Sequence, residues 1–273
     1  MRRGLQNWRQ MTGAWFGIAL ILALAWTASA VAAESTLDQV LKRGKLIVGI
    51  GLAVPPFGMY DAEKKPAGFD VDLSKLIAKE LKVEIEWVDT TSVNRLPYLL
   101  TNKVDLIVAT FSATPERAKQ IAFTKPYALN RLVLVGWKKD KEIKSYKDLK
   151  GRTVGVTRGT VQDLAVTELM PEAKILRYDD DPLTMLAFDQ KKVETQANAE
   201  FLMAAKYNLK SNKDLEIKGE VARSFLSIGV RRNDQEWLNW LNTFLDAYGG
   251  LGKFAEMYEK WVGTKMSPTL PTW

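Results

Sequence analysis

The spacing of apolar residues over positions 36–109 predicts helices and strands in alternation. Steps of three and four residues mark helix faces, and steps of two mark half-buried strands. The predicted order of strand, helix, strand, helix and strand indicates a parallel sheet with right-handed crossovers. The elements expected are helix 36–43, strand 46–50, a helix capped by Asp70 and reaching Leu81, strand 83–87, helix 93–101 and strand 104–109.

A second unit repeats this pattern over positions 153–207. Two apolar β-like runs, 132–137 and 225–230, flank it on either side. If both runs cross between two lobes, the first lobe is completed by C-terminal residues. The elements expected within the unit are strand 153–157, helix 160–169, strand 174–177, helix 182–189, a weak strand and a helix over about 198–207.

Two amphipathic helices are expected near the C-terminus. Gly249 and Gly250 are predicted to separate them, and the tail after Gly263 is expected to be loosely ordered. Aromatic residues at helical spacing indicate a packed core rather than ligand contacts. The apolar positions are Trp237, Leu238, Leu241, Phe244, Leu245 and Tyr248 in the first helix, and Leu251, Phe254, Met257, Tyr258 and Trp261 in the second.

Composition excludes several kinds of chemistry. The 273 residues leave room for two modest domains and contain neither cysteine nor histidine. This removes disulfides, thiolate nucleophiles, the usual zinc sites and Ser-His-Asp catalysis. Carboxylate acid-base catalysis, lysine Schiff bases and oxygen-ligand metal sites remain open. No cofactor and no metal site are predicted.

The first 33 residues have the order of parts of a secretory signal peptide. Arginines precede an apolar stretch over 14–26, and small residues over 28–33 offer a cleavage site near Ala33. Export is therefore expected, with an uncleaved membrane anchor as the alternative. Removing the three arginines of this segment, Arg2, Arg3 and Arg9, lowers the formal net charge from +7 to +4.

A lysine-rich stretch over 138–150 raises the question of nucleic acid or an anionic membrane. Acidic residues interleave it, and repeated aromatic residues are missing from it. This pattern favours a solvated face at a domain edge, so no nucleic-acid partner is predicted.

Positions 110–117, which read T-F-S-A-T-P-E-R, carry the candidate chemistry. Thr114 is predicted to cap a helix whose first residue is Pro115. Arg117 then falls in the first turn, where an anion could bind both the guanidinium and free backbone amides. The motif predicts a site for a small carboxylate; the alternative is that Arg117 pairs with Glu116 or with solvent.

Three motifs give the chain a family resemblance. It resembles the periplasmic solute-binding proteins of the polar amino-acid ABC-transporter class through G-F-D-V-D-L at 68–73, the 110–117 loop and V-G-V-T-R-G-T at 154–160. The resemblance implies an α/β fold of two lobes, each a small, mostly parallel sheet flanked by helices, joined by two hinge strands. The expected bounds are 36–135 with 229–263 for the first lobe, 136–228 for the second lobe and 264–273 for the tail.

The resemblance also implies roles for individual residues. Arg117 would clamp the ligand carboxylate in bidentate fashion. Thr110 and Ser112 would bind the ligand's α-amino end. The backbone amides of Thr160, Val161 and Gln162, at a helix start, would close on the carboxylate from the second lobe.

The chain departs from the family pattern where relatives bind the ammonium group. The family's acidic residue after the first strand is replaced by Gly51, and its second-lobe aspartate falls at Ala199. Asn94, Asn198 or Glu200 could substitute, and the sequence does not choose among them. Val54 and Ser92 stand where relatives carry aromatic residues. The ligand is therefore expected either to lack a free α-amine or to be held by neutral donors.

The leading prediction is the substrate-binding component of an ABC importer. It would be a periplasmic monomer that captures an amino acid or similar carboxylate and delivers it to a membrane permease. One alternative is an exported enzyme resembling cyclohexadienyl dehydratases. Those enzymes need a glutamate near the second-lobe aspartate, where this chain has Ala199 and Leu202. The other alternative is the ligand-binding domain of a membrane sensor.

Overall fold

The computed structural model describes residues 34–266. The predicted signal peptide and positions 267–273 of the predicted tail lie outside the described residues. Within 34–266, no helix combines the length and apolar character that crossing a membrane requires.

Helices and strands alternate as the apolar spacing predicts. The helices are α1 Thr36–Arg43, α2 Phe69–Leu81, α3 Arg95–Leu100, α4 Pro115–Ala118, α5 Val161–Leu169, α6 Asp181–Asp189, α7 Glu200–Tyr207, α8 Gln235–Gly250 and α9 Lys253–Val262. The strands are β1 Lys45–Ile50, β2 Met59–Tyr60, β3 Pro66–Ala67, β4 Glu84–Asp89, β5 Leu106–Ile107, β6 Ile121–Trp137, β7 Thr153–Thr157, β8 Lys174–Tyr178, β9 Thr195–Ala199 and β10 Leu215–Arg231. A 3₁₀ turn covers Tyr146–Asp148.

Two long strands organise the main sheet. Strands β6 and β10 each span 17 residues and pair with each other in antiparallel fashion. At one end β5 joins β10 and is parallel to β1, which is parallel to β4. At the other end β9 joins β6 and is parallel to β7, which is parallel to β8. The result is one eight-stranded sheet in the order β4-β1-β5-β10-β6-β9-β7-β8, with a small β2-β3 hairpin apart.

The predicted two-lobe α/β fold is confirmed by this arrangement, since each parallel group carries its own helices. The two runs predicted at 132–137 and 225–230 are parts of β6 and β10, which are much longer because both strands serve both lobes. Their ladder shifts register near Ser227 and again between Ile217 and Ala222. The lobe bounds given above stay a prediction.

Each lobe has its own hydrophobic core. The first lobe is defined here by the core that packs Val48, Ile77 and Trp237, which joins β1, α2 and α8. The second lobe is defined by the core that packs Val156 and Phe188, which joins β7 and α6. All five side chains are fully buried, and each such burial stabilises the fold by roughly 1.5–3 kcal/mol for the aliphatic and phenyl groups.

One predicted helix cap is wrong. Gly68, not Asp70, is the N-cap of α2, and its φ of 128° and the Phe57 carbonyl oxygen close to the place of a Cβ suit only glycine. Asp70 lies inside the first turn and is buried. α8 ends at Gly250, the second of the two glycines predicted to separate the C-terminal helices, and the left-handed Gly252 is the N-cap of α9.

Candidate functional site

One pocket lies between the two lobes and collects most of the predicted site residues. Its space amounts to about 390 Å³, part of it open to solvent. Both lobes contribute to its lining. The predicted residues that line it are Thr110, Ser112, Arg117, Thr160, Val161, Gln162 and Asn198.

Asn94 is the predicted site residue that the structure leaves outside this lining. It occupies the N-cap position of α3 without a side-chain capping bond. The following residue, Arg95, lines the pocket in its place. A ligand-binding role of Asn94 stays a prediction.

Arg117 links the two lobes through its guanidinium group. Nη1 donates to the Ser112 carbonyl at 2.6 Å, and Nη2 donates to the Gly159 carbonyl of the second lobe at 2.8 Å. A guanidinium has more N–H donors than these two bonds use. Burial, with a smaller effect of Arg95, lowers the pKa of Arg117 to about 10, so the group stays charged at neutral pH.

The local helix start around Arg117 forms as predicted. Thr114 is the N-cap of α4, its side chain accepts from the Arg117 amide at 3.2 Å, and Pro115 is the first helical residue. The alternative pairing with Glu116 is wrong, because Glu116 forms an ion pair with Lys119 instead. The Arg117 side chain therefore lines the pocket without an ion pair to Glu116.

A buried carboxylate holds the pocket backbone at Thr110. This residue has a φ of 46°, a left-handed conformation that is costly for a β-branched side chain. The Thr110 amide donates to Asp70 Oδ2 at 2.7 Å, and the Tyr127 hydroxyl donates to Oδ1 at 2.9 Å. Burial raises the pKa of Asp70 to about 7. Asp70, an acidic residue of the 68–73 motif, therefore fixes the backbone of a residue that lines the pocket without lining the pocket itself.

Ser112 is fixed to the long strand β10. Its hydroxyl is 2.9 Å from that of Ser224, and a β-bridge pairs it with Leu226. Since Arg117 binds the Ser112 carbonyl, the loop and the arginine hold each other in place.

Thr160 begins α5 at the second-lobe side of the pocket. Its hydroxyl accepts from the Asp163 amide at 3.2 Å and donates to the Thr157 carbonyl at 2.6 Å. Because the hydroxyl is used within the lobe, the group it can offer a ligand is its backbone amide. The first amides of a helix have no intrahelical acceptor, and those of Val161 and Gln162 belong to the same turn.

Asp181 is an acidic pocket residue that the sequence analysis missed. It is the first residue of α6 and is 8% exposed. Its Oδ1 accepts from the Thr157 hydroxyl at 2.6 Å and from Asn198 Nδ2 at 3.0 Å, while Oδ2 takes no hydrogen bond from the described residues. Burial raises its pKa. The run of aspartates at 179–181 after a predicted strand was the available signal.

Arg95 is the second missed residue, and it is also buried. It opens α3, is 6% exposed and makes no hydrogen bond or ion pair with any described residue. Its Nε atom is fully buried without a partner. Its guanidinium carbon lies 5.7 Å from the centre of the Phe111 ring, and that of Arg117 lies 4.8 Å from the same ring. Burial lowers the pKa of Arg95, and the charge of Asp181 partly opposes this.

Of the three residues that could replace the family aspartate, Asn94, Asn198 and Glu200, one lines the pocket. Asn198 lines the pocket and also accepts from Gln162 Nε2 at 3.2 Å. Glu200 does not line it, because both of its oxygens accept from Arg131 Nη1 at 2.9 Å on another surface. Four of the positions where the resemblance leaves family side chains missing line the pocket, namely Val54, Ser92, Ala199 and Leu202, whereas Gly51 does not.

Metal binding finds no support in the part of the chain that the structure describes. Over residues 34–266, no group of three or more histidine, cysteine, aspartate or glutamate side chains could hold an ion.

Comparison with known proteins gives one family. Residues 46–264 match the family described as bacterial extracellular solute-binding proteins, family 3. Arginine-binding extracellular protein ArtP of Bacillus subtilis (strain 168) is 33% identical over 223 residues, which cover 80% of this chain and 86% of that protein. L-cystine-binding protein TcyJ of Escherichia coli (strain K12) is 27% identical over 252 residues, covering 92% and 94%.

Solved structures share the same architecture. The ancestral amino acid-binding protein AncCDT-1, a precursor of cyclohexadienyl dehydratase, superposes with a TM-score of 0.76 at 32% identity. The match covers 84% of this chain and all of that one.

Proposed function

This chain belongs to the bacterial extracellular solute-binding proteins of family 3, and we propose that it captures an amino acid between its lobes for import. In this proposal the protein is exported, works in the periplasm as a monomer and delivers its solute to the membrane permease of an ABC transporter. The relatives named above bind arginine and L-cystine by their names, which supports an amino acid as the solute.

The observation that carries the proposal is the position of Arg117. Its guanidinium bonds carbonyls of both lobes, at Ser112 and at Gly159, and still has N–H donors left for a carboxylate. The first amides of α5 offer further donors from the opposite lobe. A carboxylate held at this point contacts both lobes at once, so it stabilises the closed form over the open form.

The ammonium end of the solute finds its acid in Asp181. Oδ2 of Asp181 accepts no hydrogen bond from the described residues, so it can accept one from the ammonium group. Asn198 and Thr157 hold the Asp181 side chain in place by donating to Oδ1. The carbonyl of Thr110 is a neutral acceptor from the other lobe. Asp181 thus compensates for the missing acid at Ala199, and a free α-amine is compatible with the pocket.

Isothermal titration calorimetry with the twenty standard amino acids tests the proposal. At least one should bind with micromolar or better affinity, and Arg117→Ala should weaken it by about a hundredfold or more, since it loses a buried charge-assisted pair. Arg232→Ala is the matched control, because Arg232 is exposed and, among residues 34–266, bonds only the Lys119 carbonyl. Undiminished binding by Arg117→Ala would refute this site.

A second candidate function is catalysis, favoured by the likeness to a precursor of cyclohexadienyl dehydratase. Ala199 and Leu202 line the pocket, so the acid that those enzymes are expected to need is replaced by apolar side chains. Asp181 remains as a candidate general acid. Incubation with prephenate or arogenate distinguishes the two functions: product formation that Asp181→Asn abolishes would establish an enzyme, and binding without turnover supports a transport protein.

A further inference from the structure

The pocket contains a cation that capture of an ordinary α-amino acid does not use. Arg117 serves the α-carboxylate and Asp181 serves the ammonium group, which leaves Arg95 without a role. Its side chain is almost completely buried and lines the same pocket. A buried guanidinium without a hydrogen-bonded or ion-paired partner is costly, because its solvation by water is lost and the Phe111 ring and the nearby charges replace only part of it.

The surroundings of Arg95 do not neutralise it. Among residues 34–266 it has no ion pair and no hydrogen bond, and its buried Nε lacks an acceptor. Asp181 lies near enough for its charge to act on Arg95 but forms no hydrogen bond or ion pair with it, and the side chains that bond Asp181 are Thr157 and Asn198. Asp70 is engaged behind the pocket by Thr110 and Tyr127.

The charges that line the pocket do not cancel. Two cationic side chains, Arg95 and Arg117, and one acidic side chain, Asp181, line it, and the other lining residues are neutral. An amino acid with an uncharged side chain matches Arg117 and Asp181 and leaves the positive charge of Arg95 unmet. A solute with one further negative charge matches all three groups.

Resting on the function proposed above, we propose that the solute is an α-amino acid whose side chain ends in an anion, and that Arg95 binds this anion. The two guanidinium groups lie near the same Phe111 ring, and both line the same pocket. The α-carboxylate binds Arg117, the ammonium binds Asp181 and the side-chain anion accepts N–H bonds from Arg95. A carboxylate fits the planar guanidinium best, since it can bind in bidentate fashion.

The same arrangement disfavours the solute named for several relatives. Arginine would carry a third guanidinium into a pocket that already holds two, with one carboxylate to balance them. Like charges brought together in a partly desolvated site repel strongly. The pocket of this chain therefore selects against cationic amino acids, although the fold is shared.

Calorimetry with charged and neutral isosteres tests this selectivity. The panel is L-aspartate, L-glutamate, O-phospho-L-serine, L-asparagine, L-glutamine and L-arginine. At least one anionic solute should bind more tightly than arginine by a factor of about ten or more. If that solute is aspartate or glutamate, it should also exceed its own amide, asparagine or glutamine, by the same factor. Comparing the affinities for L-aspartate and L-glutamate with the affinity for O-phospho-L-serine shows whether the pocket prefers a carboxylate or a phosphate.

Variants of Arg95 assign the effect to this side chain. Arg95→Gln should lower the affinity for the anionic solute by about a hundredfold and the affinity for its amide by less than about threefold. Arg95→Lys, which keeps the charge, should fall between these values. Arg232→Gln is the control, and melting temperatures verify that each variant is folded.

The outcomes separate the two proposals. If glutamine, asparagine or arginine binds the unaltered protein most tightly, the proposal of an anionic solute is wrong, whereas the proposal of amino-acid capture stands. Equal losses for acid and amide in Arg95→Gln also overturn it. Failure of every solute in the panel and of all other amino acids overturns both.

Discussion

The carboxylate of Asp70 accepts a hydrogen bond from the backbone amide of Thr110 at 2.7 Å. This bond joins the start of α2 to the loop that lines the pocket. It holds Thr110 in a left-handed conformation that its side chain disfavours. The geometry of the pocket therefore depends on a carboxylate that the solute does not touch.

Stability is expected to fall as pH rises from 5 to 7.5. Burial raises the pKa of Asp70 from 3.8 to about 7, so in this range the folded protein binds a proton more readily than the unfolded chain. The slope of the free energy of unfolding is then negative, on the order of 1 kcal/mol per pH unit. Urea unfolding at several pH values measures it.

Asp70→Asn should reduce that slope, because the amide does not titrate in this range. Burial also raises the pKa of Asp181, so titration of that group acts on stability in the same direction. A slope equal to that of the unaltered protein would show that Asp70 is not the titrating group.

Asp181→Asn should reduce affinity for amino acids by about tenfold to a hundredfold, because the ammonium loses its charged acceptor. Carboxylates that lack an α-amine should lose no affinity. Asp179→Asn is a matched control, since Asp179 is exposed and its one ion pair with a described residue joins Oδ1 to Arg158 Nε at 3.5 Å. An equal loss for ligands with and without the amine would contradict the assigned role.

Gly68→Ala should destabilise the fold by about 1–3 kcal/mol or more. The added Cβ would lie 2.3 Å from the Phe57 carbonyl oxygen, at a φ of 128°. Gly250→Ala is the contrasting substitution, because nothing lies within 4 Å of its Cβ and the site is helical. It should be neutral or slightly stabilising, by up to about 1 kcal/mol. Denaturant unfolding compares them, and similar values for both would contradict the steric argument.

Arg117→Ala should enlarge the protein in the absence of solute. The bond from Arg117 to the Gly159 carbonyl joins the lobes, and its loss costs the closed form about 0.5–1.5 kcal/mol. Small-angle X-ray scattering should then show a larger radius of gyration. Scattering identical to that of the unaltered protein would mean that this bond does not influence closure.

The sequence predicts the parts of the site that depend on local signals. The cap at Thr114, the proline after it and Arg117 lie within one turn, so their arrangement follows from neighbouring residues. The helix start at Thr160 is predictable for the same reason.

Asp181 and Arg95 escape prediction because their positions depend on the order of strands. Asp181 follows β8, whereas Asn198 is the last residue but one of β9, and β7 lies between these strands in the sheet. Their side chains nevertheless meet, since the carboxyl ends of parallel strands share one edge. For Arg95, the apolar pattern shows where a helix lies but not that a charge on it is buried.

The pairing of β6 with β10 has a consequence for release of the solute. Asn130, which lines the pocket, is paired with Ser224 in that ladder, close to the irregular register at Ser227. Under the proposed function, a solute in the pocket contacts the same two strands that would bend if the lobes opened. Opening would then also remove part of the surface that binds the solute.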